Sequence, residues 1–169
     1  MEEIRLKARA KINLTLDVTG KRENGYHELC MIMQTVGLYD EIILRKIPED
    51  TIRLSSNVGW LPTDSRNLAW KAADLMRRTY GIAEGVSIGI NKRIPVAAGL
   101  AGGSADCAAV LVGMNRLFSL GLSAKQLEEE AFMLGTDIPY CVRRGTVLAE
   151  GLGEVLTNIE PPCPFCYVV

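Results

Sequence analysis

Apolar and polar side chains alternate along residues 4–10 and 12–18, with Ile12, Leu14, Leu16 and Val18 on one side and Lys11, Asn13, Thr15 and Asp17 on the other. A period of two is the mark of an extended strand with one face turned to a core. A charged connection over Gly20 to Gly25 leads to further strand candidates at 29–36, 41–47 and 51–55, so the N-terminal third reads as β structure. The period then changes. Leu68, Ala72, Leu75 and Met76 recur at helical spacing, with Asp64 or Ser65 as the expected N-cap and Gly81 as a left-handed stop after Tyr80. Val86, Ile88 and Ile90 give another alternating strand, and Lys92-Arg93-Ile94-Pro95 carries the chain into a glycine-rich turn. Cys107, Val110, Leu111, Met114, Leu117 and Phe118 mark a second amphipathic helix ending near Gly121. A third follows at once, with Ser123 and Gln126 as a capping box, Leu127, Ala131 and Leu134 as its buried stripe and Gly135 as its end. Short strand candidates at 146–150 and 165–169 complete the pattern. Strands, helix, strand, two helices, strands, with no repeat or linker, predict one α+β sandwich.

Composition narrows the use of such a fold. The chain has 169 residues, 19 basic against 20 acidic side chains and nearly half its residues apolar, enough for one domain with a real core. The charge balance offers no general polycationic surface, so nucleic-acid and membrane binding are not expected and any phosphate binding must be local. Five cysteines, odd in number and scattered, with no signal peptide or long apolar span, fit a reducing cytoplasm. Cys163 and Cys166 have a redox-like spacing, but His27 is the only histidine and no second cysteine pair accompanies them, so the pair reads as incidental.

The segment from Pro95 to Asp106, Pro-Val-Ala-Ala-Gly-Leu-Ala-Gly-Gly-Ser-Ala-Asp, joins a strand to a helix. Its small side chains let an anion reach backbone N–H groups, and the helix N-terminus adds partial positive charge. Ser104 offers a hydroxyl to a phosphate oxygen or a magnesium ion. The spacing fits neither the P-loop nor the dinucleotide fingerprint, so on glycines alone a tight strand-to-helix turn is as good a reading.

Three blocks change that balance. The glycine run resembles the phosphate-binding motif of the GHMP kinases, the family named for galactokinase, homoserine kinase, mevalonate kinase and phosphomevalonate kinase. Ala10-Lys11-Ile12-Asn13-Leu14 with Gly25-Tyr26-His27-Glu28-Leu29, and Gly135-Thr136-Asp137-Ile138-Pro139-Tyr140, resemble the branch that acts on a cytidine-diphosphate-linked methylerythritol. Gly151-Leu152-Gly153-Glu154 extends the agreement. Ala101 and Ala105 depart from the family pattern, which has glycine and serine there in many members; neither change blocks backbone donation. The resemblance implies a mixed β-sheet packed against helices in a two-layer sandwich, with residues 1–169 as the N-terminal, ATP-binding domain. It also implies a C-terminal domain with a second glycine-rich motif, which the sequence is expected to stop short of after the apolar run Phe165 to Val169.

The resemblance assigns roles residue by residue. Lys11 and Asp137 are the expected catalytic pair. Lys11 would orient the acceptor hydroxyl and hold charge near the γ-phosphate, and Asp137 would accept the proton or guide it electrostatically. By residue type alone they would be a solvated sheet face and a helix cap. Pro95, Ala97, Ala98, Gly99, Leu100, Ala101, Gly102, Gly103 and Ser104 are expected to hold ATP, with Asn67 and Lys92 near its adenine and Ser104 the candidate magnesium ligand. Asn13, Tyr26 and His27 are expected to bind the acceptor, Tyr26 by stacking on the pyrimidine and His27 by hydrogen bonding its edge. The implied activity is ATP- and Mg2+-dependent phosphorylation of the 2-hydroxyl of that substrate in isoprenoid precursor synthesis. The alternatives are a sister kinase acting on another small alcohol and a non-catalytic nucleotide- or RNA-binding module. Self-association is expected of a chain whose family normally covers it with a further domain.

Overall fold

The structure is a computed structural model that describes residues 2–21 and 25–161. The expected strand at 165–169 and the Cys163/Cys166 pair lie outside them, as does most of the connection before Gly25.

Six strands among the described residues, β1 (Glu3–Lys21), β2 (His27–Ile47), β3 (Ile52–Ser56), β4 (Gly85–Asn91), β5 (Thr146–Gly151) and β6 (Val155–Asn158), make one mixed sheet. The order is β3-β4-β2-β5-β6, with β1 antiparallel along β2. Only β3 and β4 are parallel, and helix α1 (Leu68–Tyr80) supplies the crossover between them. Helices α2 (Gly102–Leu117), α3 (Ala124–Phe132) and α4 (Ile138–Arg143) follow. Met33, Ile42 and Leu44 of β2 and Val86 and Ile88 of β4 share one buried cluster with Ala72 and Met76 of α1 and Val110, Leu111 and Met114 of α2. Each such fully buried large side chain contributes about 1.5–3 kcal/mol. This is the expected α+β sandwich.

The differences from the sequence reading are informative. The expected break in β2 after Val36 is not a turn. Strand pairing steps from Arg9 opposite Tyr39 to Lys11 opposite Thr35, so Val36, Gly37 and Leu38 face Ala10 alone. Such a bulge bends a strand and re-aims its side chains. Beyond it the alternation in β1 does not become burial: Leu16 and Val18 are 50% and 60% exposed. The cap of α1 is Asn67 rather than Asp64 or Ser65, its Oδ1 accepting the Ala69 N–H at 2.9 Å. Gly81 ends α1 in the left-handed region as expected (φ 62°), and Ser123 with Gln126 forms the capping box of α3. Helix α4 and strand β6 were not expected, both being too short for periodicity to register.

Candidate active site

Beyond β4 the chain forms a loop whose backbone is left-handed at Ala97 (φ 59°), Gly99 (φ 74°) and Ala101 (φ 55°). Ala101 is the N-cap of α2 and, unlike Asn67 and Ser123, makes no side-chain cap bond. The first-turn N–H groups of Gly102, Gly103 and Ser104 therefore have no protein acceptor among the described residues. An uncapped helix start behind a tight glycine loop is an anion cradle. A Cβ at Gly102 would lie 3.0 Å from Ile94 Cγ2 and 3.1 Å from Lys92 Nζ, so a larger residue would press on both side chains and push them back by a few tenths of an ångström.

The loop borders a cavity of about 400 Å³. Pro95 to Ser104 line it together with Asn67, Lys92 and Asp137. Ile94 and Leu100 anchor the loop in a small apolar cluster with Ala10 and Val36, at the bulge. The Lys11 N–H donates to the Leu100 carbonyl at 3.2 Å, which stitches the loop to β1.

Lys11 is only 6% exposed despite its charge. Its ammonium donates to Asn13 Oδ1 at 3.0 Å and lies 3.7 Å from Asp137 Oδ2. Asp137 occupies the N-cap position of α4, yet its carboxylate makes no cap bond and stays partly open. Buried Tyr140 pins α4 in place, its hydroxyl 3.0 Å from Oγ1 of Thr35, the strand partner of Lys11. Residues more than a hundred positions apart are thus held together beside Asp137, which lines the cavity.

Other expected residues fall differently. Asn67 lines the cavity, but its Oδ1 is occupied by the cap and its Nδ2 by the Pro62 carbonyl at 2.8 Å. Tyr26 and His27 are exposed at the start of β2 and do not line this cavity. His27 is separated from Thr35 by about 26 Å of fully extended strand, before twist and bulges shorten the path. Ser104 lines the cavity, and no group of three or more metal-ligating His, Cys, Asp or Glu side chains occurs among the described residues. A magnesium ion would fit there only in company with phosphate oxygens, as that ion commonly binds.

The sequence reading missed what lies beneath the loop. The Lys92 ammonium turns inward between Asp40 Oδ2 at 2.5 Å and Asp106 Oδ2 at 2.8 Å. Asp40 Oδ1 also accepts the backbone N–H groups of Arg93 and Ile94 at 2.5 and 2.8 Å, fixing where the loop begins. Burial opposes the charge on Lys92, but Asp106 and Asp40 more than offset it and raise its pKa. Burial pushes Asp106 up to about 7, and its Oδ1 has no hydrogen-bond partner. The usable signal was an aspartate inside the apolar run of α2, which demands a cation nearby. Cys107 and Cys141 are buried free thiols whose pKa values burial raises, leaving them unreactive.

Residues 67–145, from the cap of α1 through the loop to the end of α4, match the GHMP kinases N terminal domain, and the chain belongs to the GHMP kinase family. Its curated relatives include the proteins named 4-diphosphocytidyl-2-C-methyl-D-erythritol kinase of Lachnospira eligens and Alkaliphilus oremlandii, 56% and 52% identical over 169 residues. Each alignment covers all of this chain and 58% of the relative. A crystal structure of 4-(cytidine 5'-diphospho)-2C-methyl-D-erythritol kinase is 34% identical with a TM-score of 0.82, over 94% of this chain and 56% of that one. The chain therefore spans somewhat more than half the length of the relatives it matches. Among the described residues no helix is long and apolar enough to cross a membrane.

Proposed function

We propose that the chain is the nucleotide-binding part of an ATP-dependent small-molecule kinase that phosphorylates the 2-hydroxyl of 4-diphosphocytidyl-2-C-methyl-D-erythritol, a step in non-mevalonate isoprenoid precursor synthesis. The observation that carries this reading is Asp137, which lines the cavity beside an uncapped glycine-loop helix and lies 3.7 Å from the Lys11 ammonium. The names of the relatives support the choice of acceptor.

In this reading the N–H groups of Gly102, Gly103 and Ser104 bind the nucleotide phosphates, while Lys92 and Asp40 hold the loop from below. Bound ATP would supply the phosphoryl group, and a magnesium ion, held by the Ser104 hydroxyl together with phosphate oxygens, would offset its charge. Asp137 takes the proton of an acceptor hydroxyl lying within hydrogen-bond reach of its carboxylate. Lys11, kept in register by Asn13, stabilises charge as the bond to the acceptor forms. Tyr26 and His27 hold the pyrimidine of an elongated acceptor. The free thiols support a cytoplasmic setting. The exposed Leu16 and Val18 support self-association of this chain, which light scattering would read as a mass above 18.5 kDa and a uniform monomer would exclude.

The test is turnover by a protein containing this chain, offered the cytidylyl acceptor, mevalonate, homoserine and galactose in turn. Phosphorylation of the first alone is expected. Preference for any other would make the chain part of a sister kinase, and nucleotide binding with no turnover of any acceptor would leave only a binding module.

A further inference from the structure

At the opposite end of α2 from the glycine loop lies a second cavity, of about 540 Å³, between the start of β1, the first turn of α3 and the end of α4. Its floor is aliphatic, with Leu6, Val112, Leu122, Leu127 and Val142; its rim is cationic, and no acidic side chain lines it. Two of the four cations there are already engaged. Arg5 pairs with Glu3 at 2.9 Å, and the Lys7 ammonium rests 4.6 Å from the ring centre of Tyr39. Arg116 and Arg144 have no ion pair among the described residues.

Arg144 is costly to keep there. It is half-buried, and burial together with the nearness of Arg9 and Arg116 pushes its pKa down. Among the described residues its guanidinium makes one hydrogen bond, Nη2 donating to the Lys7 carbonyl at 3.2 Å. Its backbone, φ 67° and ψ −176°, lies in a region that belongs almost solely to glycine. A glycine at this C-cap would remove both the strain and the charge repulsion. Backbone strain and an unneutralised half-buried cation at one residue, facing a cavity, are what a ligand-binding residue shows before its counter-ion arrives.

We propose that Arg116 and Arg144 form a second anion site, for a phosphorylated small molecule with an aliphatic body. Guanidinium forks match phosphate oxygens, and the aliphatic floor suits a hydrocarbon portion. Nucleic acid would need a longer basic surface than one cavity rim. Helix α4 joins this site to the first, with Asp137 at its N-cap and Arg144 at its C-cap.

Calorimetric titration of the chain with butyl phosphate and with inorganic phosphate, with ATP present to occupy the glycine loop, tests the site. Butyl phosphate is expected to bind at least about fivefold more tightly, since buried methylene groups add to the anion contact. Arg116→Gln and Arg144→Gln should each weaken it about tenfold or more and leave ATP binding unchanged. Arg144→Gly should abolish it while raising the melting temperature by roughly a few degrees through relief of strain. Butyl phosphate binding that survives these substitutions, or that ATP displaces competitively, overturns the proposal. So does a lower melting temperature in Arg144→Gly, because the arginine would then be serving the fold.

Discussion

Asp106 is the residue whose surroundings conflict most with its charge. It is 3% exposed, one oxygen meets Lys92 and the other meets nothing. A carboxyl that titrates near 3.8 when unfolded and near 7 when folded holds, between those values, a proton that unfolding releases. The folded state then binds more protons than the unfolded one, so stability falls as pH rises through that window. Asp106→Asn keeps an acceptor for Lys92 and removes the titration. Urea midpoints taken at pH 5 and pH 8 should therefore drop more in the parent chain than in the variant; equal drops would mean that Asp106 ionises freely. The proposed catalytic pair, Lys11 and Asp137, is expected to behave differently, because its value would lie in reaction rather than in folding. Asp137→Asn and Lys11→Ala should each lower turnover by roughly 10²–10⁴-fold with the circular dichroism unchanged. Near-parental turnover in either variant removes that residue from the mechanism. Lys11 and Asp137 could be read in the sequence only because their blocks resemble a family; by residue type neither stands out. Asp40 could not be read at all, since its partner Lys92 is 52 positions away.

Among the elements, periodicity located what was long and amphipathic. Helices α1, α2 and α3 and strand β4 each repeat their apolar positions often enough to be seen, and Gly81 and Ser123 mark ends that the structure keeps. Helix α4 has six residues and β6 four, less than two helical turns and no more than two alternations. The bulge opposite Ala10 was hidden because Gly37 and Asp40 are also what a turn would use. Gly113 shows a constraint that local propensity inverts. Alanine in a helix interior is worth about 1 kcal/mol over glycine. Here, however, a Cβ would press into Cδ1 of Leu44, which is wholly buried, and stand 3.0 Å from Leu6 Cδ1, so a core side chain must shift. Overpacking of that kind costs about 1–3 kcal/mol, so the packing loss outweighs the gain. Gly113→Ala should thus lower the urea midpoint, whereas a raised midpoint would show that α2 can lift off the sheet.

At the scale of the whole molecule, two clusters of different size divide the labour. The large one joins the sheet to the helices, while the small one, Ala10, Val36, Ile94 and Leu100, only fastens the glycine loop to the bulge of β1 and β2. Between its anchors Ile94 and Leu100, the loop from Pro95 to Gly99 is exposed. Few buried contacts imply a low local opening energy, well below that of the core. Backbone amides of residues 96–101 should therefore exchange with deuterium much faster than those of residues 107–114, which sit in the buried middle of α2. If the uncapped helix start is the phosphate cradle, ATP supplies the missing acceptors and ties the loop to α2. Exchange over 96–104 should then slow by about tenfold or more with saturating nucleotide, because ligand binding to the closed form suppresses opening in proportion to occupancy. Amides in β6, none of whose residues lines the cavity, should change little. Protection confined to residues 142–146 and the start of β1 would place the nucleotide in the arginine-rimmed cavity and separate the loop from phosphate binding altogether.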